Sequence, residues 1–110
     1  MTTWNDDAVL ATIEMFENPE LARDEARLKE MIYARAEPLA AVEGLRSKIW
    51  FANADEGRIG AFLVWDSPAA RAKFSAAEDI DSIAARWGAR PTITDFEIYQ
   101  SLVRGVTTRP

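Results

Sequence analysis

Two proline-marked helix starts constrain this chain more than any other feature. Asn18-Pro19-Glu20 places a capping side chain, a proline at the first helical position and an acid in the first turn. Ser67-Pro68 repeats the signal, with Ser67 as the cap. Gly44 and Gly88 supply matching C-terminal stops. The pattern predicts a helix from Pro19 toward residue 43, kinked or broken at Pro38, and a second over residues 68 to 87 with a break near Glu78-Asp79. Apolar stretches fill what lies before, between and after.

Residues 8 to 16, "AVLATIEMF", read as a strand. Both of its faces are largely apolar, as in a strand covered on both sides. Residues 45 to 52 and 59 to 65 are two further strands, and the "NADEGR" between them predicts a hairpin. "TITDFEIYQ", residues 92 to 100, alternates as a fourth. The order βαββαβ is the split-βαβ, ferredoxin-like arrangement of the α+β class, with an antiparallel sheet. Its helices cover one sheet face only. The other face would be a large apolar patch on a monomer, so the pattern predicts a homodimer with a barrel-like cavity. One domain spans residues 1 to 110, with its core at about 8 to 102 and a tail at 103 to 110 that is mobile or contacts a partner.

Composition removes several function classes. There is no cysteine and no histidine, so disulfides, thiolate nucleophiles, histidine bases and the usual zinc sites are excluded. No carboxylate cluster has an EF-hand spacing, and no metal is expected. The net charge of −5, with acids and bases interleaved, argues against nucleic acid and anionic membrane surfaces. "MTTWNDDAV" lacks the regions of a signal peptide, and no apolar run reaches membrane-spanning length, so a cytoplasmic protein is expected. "GRIGA" at 57 to 61 lacks the spacing and the following helix of a dinucleotide site.

Strand parity selects candidate site residues. Lys48 and Trp50 lie two apart and share a face, apart from Leu45, Ser47, Ile49 and Phe51. The apolar set suggests packing against the helices. Lys48 and Trp50 are then expected to look into the concave cavity, away from them. In the third strand, either Ile59, Ala61, Leu63 and Trp65 or Gly60, Phe62 and Val64 could face the helices. Glu14 shares a face with Leu10, Thr12 and Phe16; Glu97 shares one with Asp95 and Tyr99. The resulting constellation is Glu14, Lys48, Trp50, Glu97 and Tyr99. It combines a base, a cation, an aromatic wall and a phenol, which suits an oxygenated aromatic ligand. Each member alone also fits a solvated face or interface filler. Glu25 and Arg35 read as surface groups, Trp87 as a helix-end anchor and Trp4 as a cover for apolar surface.

"GLRSKIW", the hairpin, "GAFLVWDSPAARAKF" and "ITDFEIY" resemble the YdhR-type monooxygenases of the dimeric α/β-barrel (ABM-type) superfamily, over roughly residues 8 to 102. Gly44, Leu45, Lys48 and Trp50 match that family's Pro-Gly-Leu-x-x-Lys-x-Trp segment. Gly60 and Phe62 partly match its Gly-Gly-x-Tyr strand, and Ser67, Ala70 and Phe74 fit its second helix. Glu43, Ile59 and Phe62 stand where the family has Pro, Gly and Tyr. The resemblance implies a homodimer and a monooxygenase needing no cofactor, acting on a small aromatic or polyketide-like compound. Lys48 would hold oxyanion charge, Glu14 or Glu97 would be the base, and Tyr99 a hydrogen-bond donor. Trp50, Phe16, Phe62 and Trp65 would bind the substrate. An isomerase or cyclase of the same superfamily, or a binding protein without turnover, would use the same groups.

Overall fold

The computed structural model describes residues 4 to 109; the readings made on residues 1 to 3 and on Pro110 lie outside them. The elements run β1 (Leu10–Glu17), α1 (Pro19–Ala22), α2 (Glu25–Ala40), β2 (Leu45–Asn53), β3 (Arg58–Trp65), α3 (Pro68–Ala77), α4 (Ile80–Trp87) and β4 (Thr92–Glu97), followed by β5 (Ser101–Val103) and β6 (Val106–Thr108). The main sheet has the order β2-β3-β1-β4 with every neighbouring pair antiparallel. This is the expected ferredoxin-like α+β fold.

The helix starts follow the capping chemistry. Asn18 Oδ1 accepts from the Leu21 N–H, and Ser67 Oγ accepts from the Ala70 N–H, each at 3.2 Å. The first helical run breaks at Arg23-Asp24, however, and not at Pro38. Asp24 is a second N-cap inside the run and accepts from the Arg27 N–H at 3.2 Å. Pro38 sits in the last turn of α2, which ends at Ala40, so it helps terminate the helix instead of kinking its middle. The break at Glu78-Asp79 is where it was expected, with Asp79 capping α4. Gly88, at φ 75°, closes α4 in the left-handed conformation.

One sheet face carries Leu10, Thr12, Glu14 and Phe16 of β1, which pair with Trp65, Leu63, Ala61 and Ile59 of β3. The helices pack on this face. Phe16 and Ile59 join Leu21, Leu28, Ile83 and Trp87 in one core cluster. Leu10, Ala61, Leu63 and Trp65 form the other, with Phe74, Ala70 and Trp4 against it.

The facing of β2 reverses the expectation. Lys48 and Trp50 pair with Leu63 and Ala61 and therefore point toward the helices. Ile49 and Phe51 pair with Phe62 and Gly60 and lie on the open face. A register shift between Leu45 and Ser47 is the physical reason. Leu45 packs into the helix-side core although Ser47, Ile49 and Phe51 do not, so Leu45 misreports the phase of its strand. Gly60 permits close packing on the open face, since a Cβ there would stand 2.4 Å from the Phe51 ring and 2.7 Å from the Met15 sulfur.

The tail forms a hairpin. Arg104 and Gly105, at φ 49° and 79°, make its two-residue turn. Leu102, Val103 and Val106 on it are exposed. No helix among the described residues is long and apolar enough to cross a membrane.

Candidate functional site

Glu14 and Trp50 occupy one rung of the sheet, separated by Ala61 of β3. Two strand spacings part their backbones, roughly 10 Å. The small Ala61 side chain leaves room between them. A space of about 10 Å³ remains there, lined by Glu14, Phe16, Lys48, Trp50, Ala61 and Trp87, at the lower limit for one water. Lys48 Nζ lies over the Trp50 ring, 4.8 Å from its centroid. The Trp50 indole N–H is buried and has no hydrogen-bond partner among the described residues.

Glu14 also lines a second, outer cleft of about 260 Å³ between α3, α4 and the sheet. Phe74, Ile80, Ile83 and Ile93 give that cleft apolar walls, and Arg71, Glu78 and Asp79 are its other charged members. Glu14 is 8 % exposed. No ion pair among the described residues ties it down: the carboxylates bound by arginines are Glu56, Asp66, Glu78, Asp81 and Asp95.

Burial pushes the Glu14 carboxyl above its ordinary 4.5, against the opposing pull of the Lys48 and Arg71 charges. Burial likewise pushes Lys48 below its ordinary 10.5, against the Glu14 charge. Both groups are thus shifted toward neutrality, a pattern concentrated at sites that move protons.

A polar framework fixes the cleft wall. The Trp65 indole N–H donates to Thr12 Oγ1 at 3.0 Å, and the Thr12 hydroxyl donates to Asp95 Oδ1 at 2.5 Å. Arg71 Nε donates to the same Asp95 oxygen at 3.0 Å, and its guanidinium lies 6.0 Å from the Trp65 ring centroid. At the turn between α3 and α4, Glu78 accepts from Arg35 at 3.1 Å and also from Arg86. Arg35 is therefore a partly buried clamp and not a surface group. Glu25 does pair at the surface, with Lys29. Trp87 is buried against Phe16, ring centroids 5.8 Å apart.

The structure thus brings together Glu14, Phe16, Lys48 and Trp50, and separates the other sequence candidates from them. Glu97 pairs with Leu10, whereas Glu14 pairs with Ile93. The offset along the strand is roughly 13 Å. Tyr99 lies beyond the end of β4 and is 79 % exposed. Phe62 is on the open face, opposite Ile13 and Ile49. Trp65 shares the helix-side face but is fully buried against Phe74, so it is framework. Sequence reading missed Arg71, Asp95, Thr12 and Glu78. Strand parity places Thr12 with Glu14 and Asp95 with Glu97 but gives neither a role, and the signal for Arg71 is its place on the α3 face that carries Phe74 and Ser75, three and four residues on. Among the described residues no three carboxylates converge as a metal site would require.

No protein-family model matches the chain, and no curated protein matches it. Solved structures do. NE2512 from Nitrosomonas europaea, a protein of unknown function, is 20 % identical with a TM-score of 0.65, covering 90 % of this chain and 97 % of that one. SnoaB from Streptomyces nogalater, a cofactor-independent oxygenase, is 16 % identical with a TM-score of 0.62, covering 86 % and 97 %. A proposed antibiotic biosynthesis monooxygenase from Deinococcus radiodurans is 17 % identical with a TM-score of 0.62, covering 86 % and 96 %. These structures share its fold. At such identities the likeness establishes architecture and leaves the reaction to the residues.

Proposed function

We propose that the chain is a YdhR-type, cofactor-independent monooxygenase that acts on a small phenolic or enolic ring compound as a homodimer. The observation that carries this reading is Glu14: a buried carboxylate without an arginine partner among the described residues, held above its ordinary pKa and sharing its space with the half-buried Lys48. Glu14 takes the proton of the phenol or enol, and Lys48 offsets the charge left on its oxygen. The electron-rich carbanion form then gives electrons to molecular oxygen. A carbon–oxygen bond forms, the peroxide loses water, and a ring CH₂ becomes C=O, so that one oxygen atom ends in the product and one in water. Phe16 and Trp50 wall the inner end. Glu97, Tyr99, Phe62 and Trp65 have no part in this reading, because none borders the Glu14–Lys48 space. The oxygenase neighbour SnoaB supports the reading through its fold.

Oxygen uptake with one- and two-ring hydroquinones tests it. The wild type is expected to consume oxygen and Glu14→Gln to lose about 10²–10⁴-fold in rate. Equal product under strict anaerobiosis would move the assignment to an isomerase or cyclase built on the same proton transfer.

A further inference from the structure

Two spaces meet at Glu14, and they differ in size and chemistry. The inner one, about 10 Å³, admits one oxygen atom or one water but no ring. It is bordered by Lys48 and by Trp50, whose indole N–H is the buried side-chain donor left without a partner among the described residues. A buried unpartnered donor is unfavourable unless something fills the role of acceptor. The outer cleft, about 260 Å³, is walled by Phe74, Ile80, Ile83 and Ile93. It lies below the usual range for drug-sized ligands.

We infer that the ligand is a one- or two-ring compound carrying an oxygen that enters the inner space, where it accepts from the Trp50 indole N–H and the Lys48 ammonium while its rings occupy the outer cleft. Glu14 then stands where oxygen and ring meet, beside the carbon framework that bears the acidic proton. A cleft of about 260 Å³ favours one- and two-ring compounds over three- and four-ring ones. Rings without an oxygen leave the Trp50 donor unsatisfied. This assignment rests on the proposed location of the site, but it concerns recognition and requires no turnover.

The test is equilibrium binding under nitrogen, followed by the isotope-labelled indole N–H resonances of the tryptophans, with Trp50→Phe used to identify the Trp50 signal. The probes are β-naphthol, naphthalene and anthrone. The expected result is that β-naphthol binds and moves the Trp50 resonance downfield. Naphthalene should bind at least tenfold more weakly, since it lacks the oxygen that accepts from both Trp50 and Lys48, and without that shift. Anthrone should bind more weakly than β-naphthol. Trp50→Phe should lose about tenfold in β-naphthol affinity with its melting transition intact, and Lys48→Met, which retains the indole, should lose affinity while keeping the shift. Binding of β-naphthol with the Trp50 signal unmoved, tighter binding of anthrone, or no binding by any probe at millimolar concentration would each overturn the inference. β-Naphthol binding with the Trp50 shift but no oxygen uptake by any substrate would leave it standing and remove the monooxygenase reading.

Discussion

The two faces of the sheet are made from the same strands but solve different problems. The helix-side face is buried by the chain's own elements, yet it carries Glu14, Thr12 and Lys48 among its apolar residues. The open face is the more uniformly apolar, yet Ile49, Phe51 and Phe96 on it are 60 %, 41 % and 49 % exposed. Burial and hydrophobicity are therefore inverted between the two. Polar groups are retained where they are desolvated, which perturbs their acidity. Apolar groups are left where a monomer would wet them, which supports the proposed pairing with a second sheet.

The largest expected effect comes from charging the open face. Phe51→Asp would bury an unpaired carboxylate in the proposed dimer contact, at a cost of several kcal/mol. Light scattering should show a dimer for the wild type and a monomer for the variant; a monomeric wild type would remove the need for a second sheet. Next comes the helix-side core. Trp65→Ala deletes a fully buried side chain and its bond to Thr12, and should cost about 3–5 kcal/mol in denaturant unfolding. That loss should not vary with protein concentration. The loss from Phe62→Ala, on the other face, should vary with it, because it passes through association.

How legible this contrast was in the sequence depends on the residue. Period-two alternation placed Lys48 with Trp50 and Glu14 with Phe16, and both pairs do share a face. Which face they share is a tertiary fact. The irregularity after Leu45 put an apolar marker out of phase, and the reading of β2 inverted with it. Glu97 was placed with Glu14 correctly by face but wrongly by position, since register along β4 comes from pairing and not from pattern. Arg71 and Asp95 meet across 24 positions of chain, from a helix to a strand, and no local rule joins them. Caps and turns were legible because their chemistry is local: Asn18, Ser67 and Gly88 act within a few residues.

Smaller effects sharpen the account of Glu14 and Lys48. The folded-state pKa of Glu14 lies above its unfolded value, so its contribution to stability is full below about 4.5 and is lost as pH rises through the folded pKa. Glu14→Gln, which does not titrate, should gain melting temperature relative to wild type as pH moves from acid to neutral. Lys48 is depressed, so its unfolded state holds the proton more tightly and stability rises with pH toward 10.5. Lys48→Met should be favoured over wild type at neutral pH, with the advantage shrinking in alkali. A constant difference across pH in both variants would mean that neither group is desolvated. The smallest effect belongs to the exposed Arg46–Asp66 pair beside the register shift: Arg46→Ala should change unfolding by about 0–1 kcal/mol.

The most direct measurement is a carboxyl-carbon NMR titration of Glu14, assigned with Glu14→Gln, in the wild type and in Lys48→Met. A helix-side site with a desolvated, unpaired carboxylate predicts a midpoint above 4.5. It also predicts a further rise when the Lys48 charge is removed, because that charge lowers the Glu14 pKa. A midpoint at or below 4.5, unmoved in Lys48→Met, would place Glu14 in water or against another partner and contradict the account.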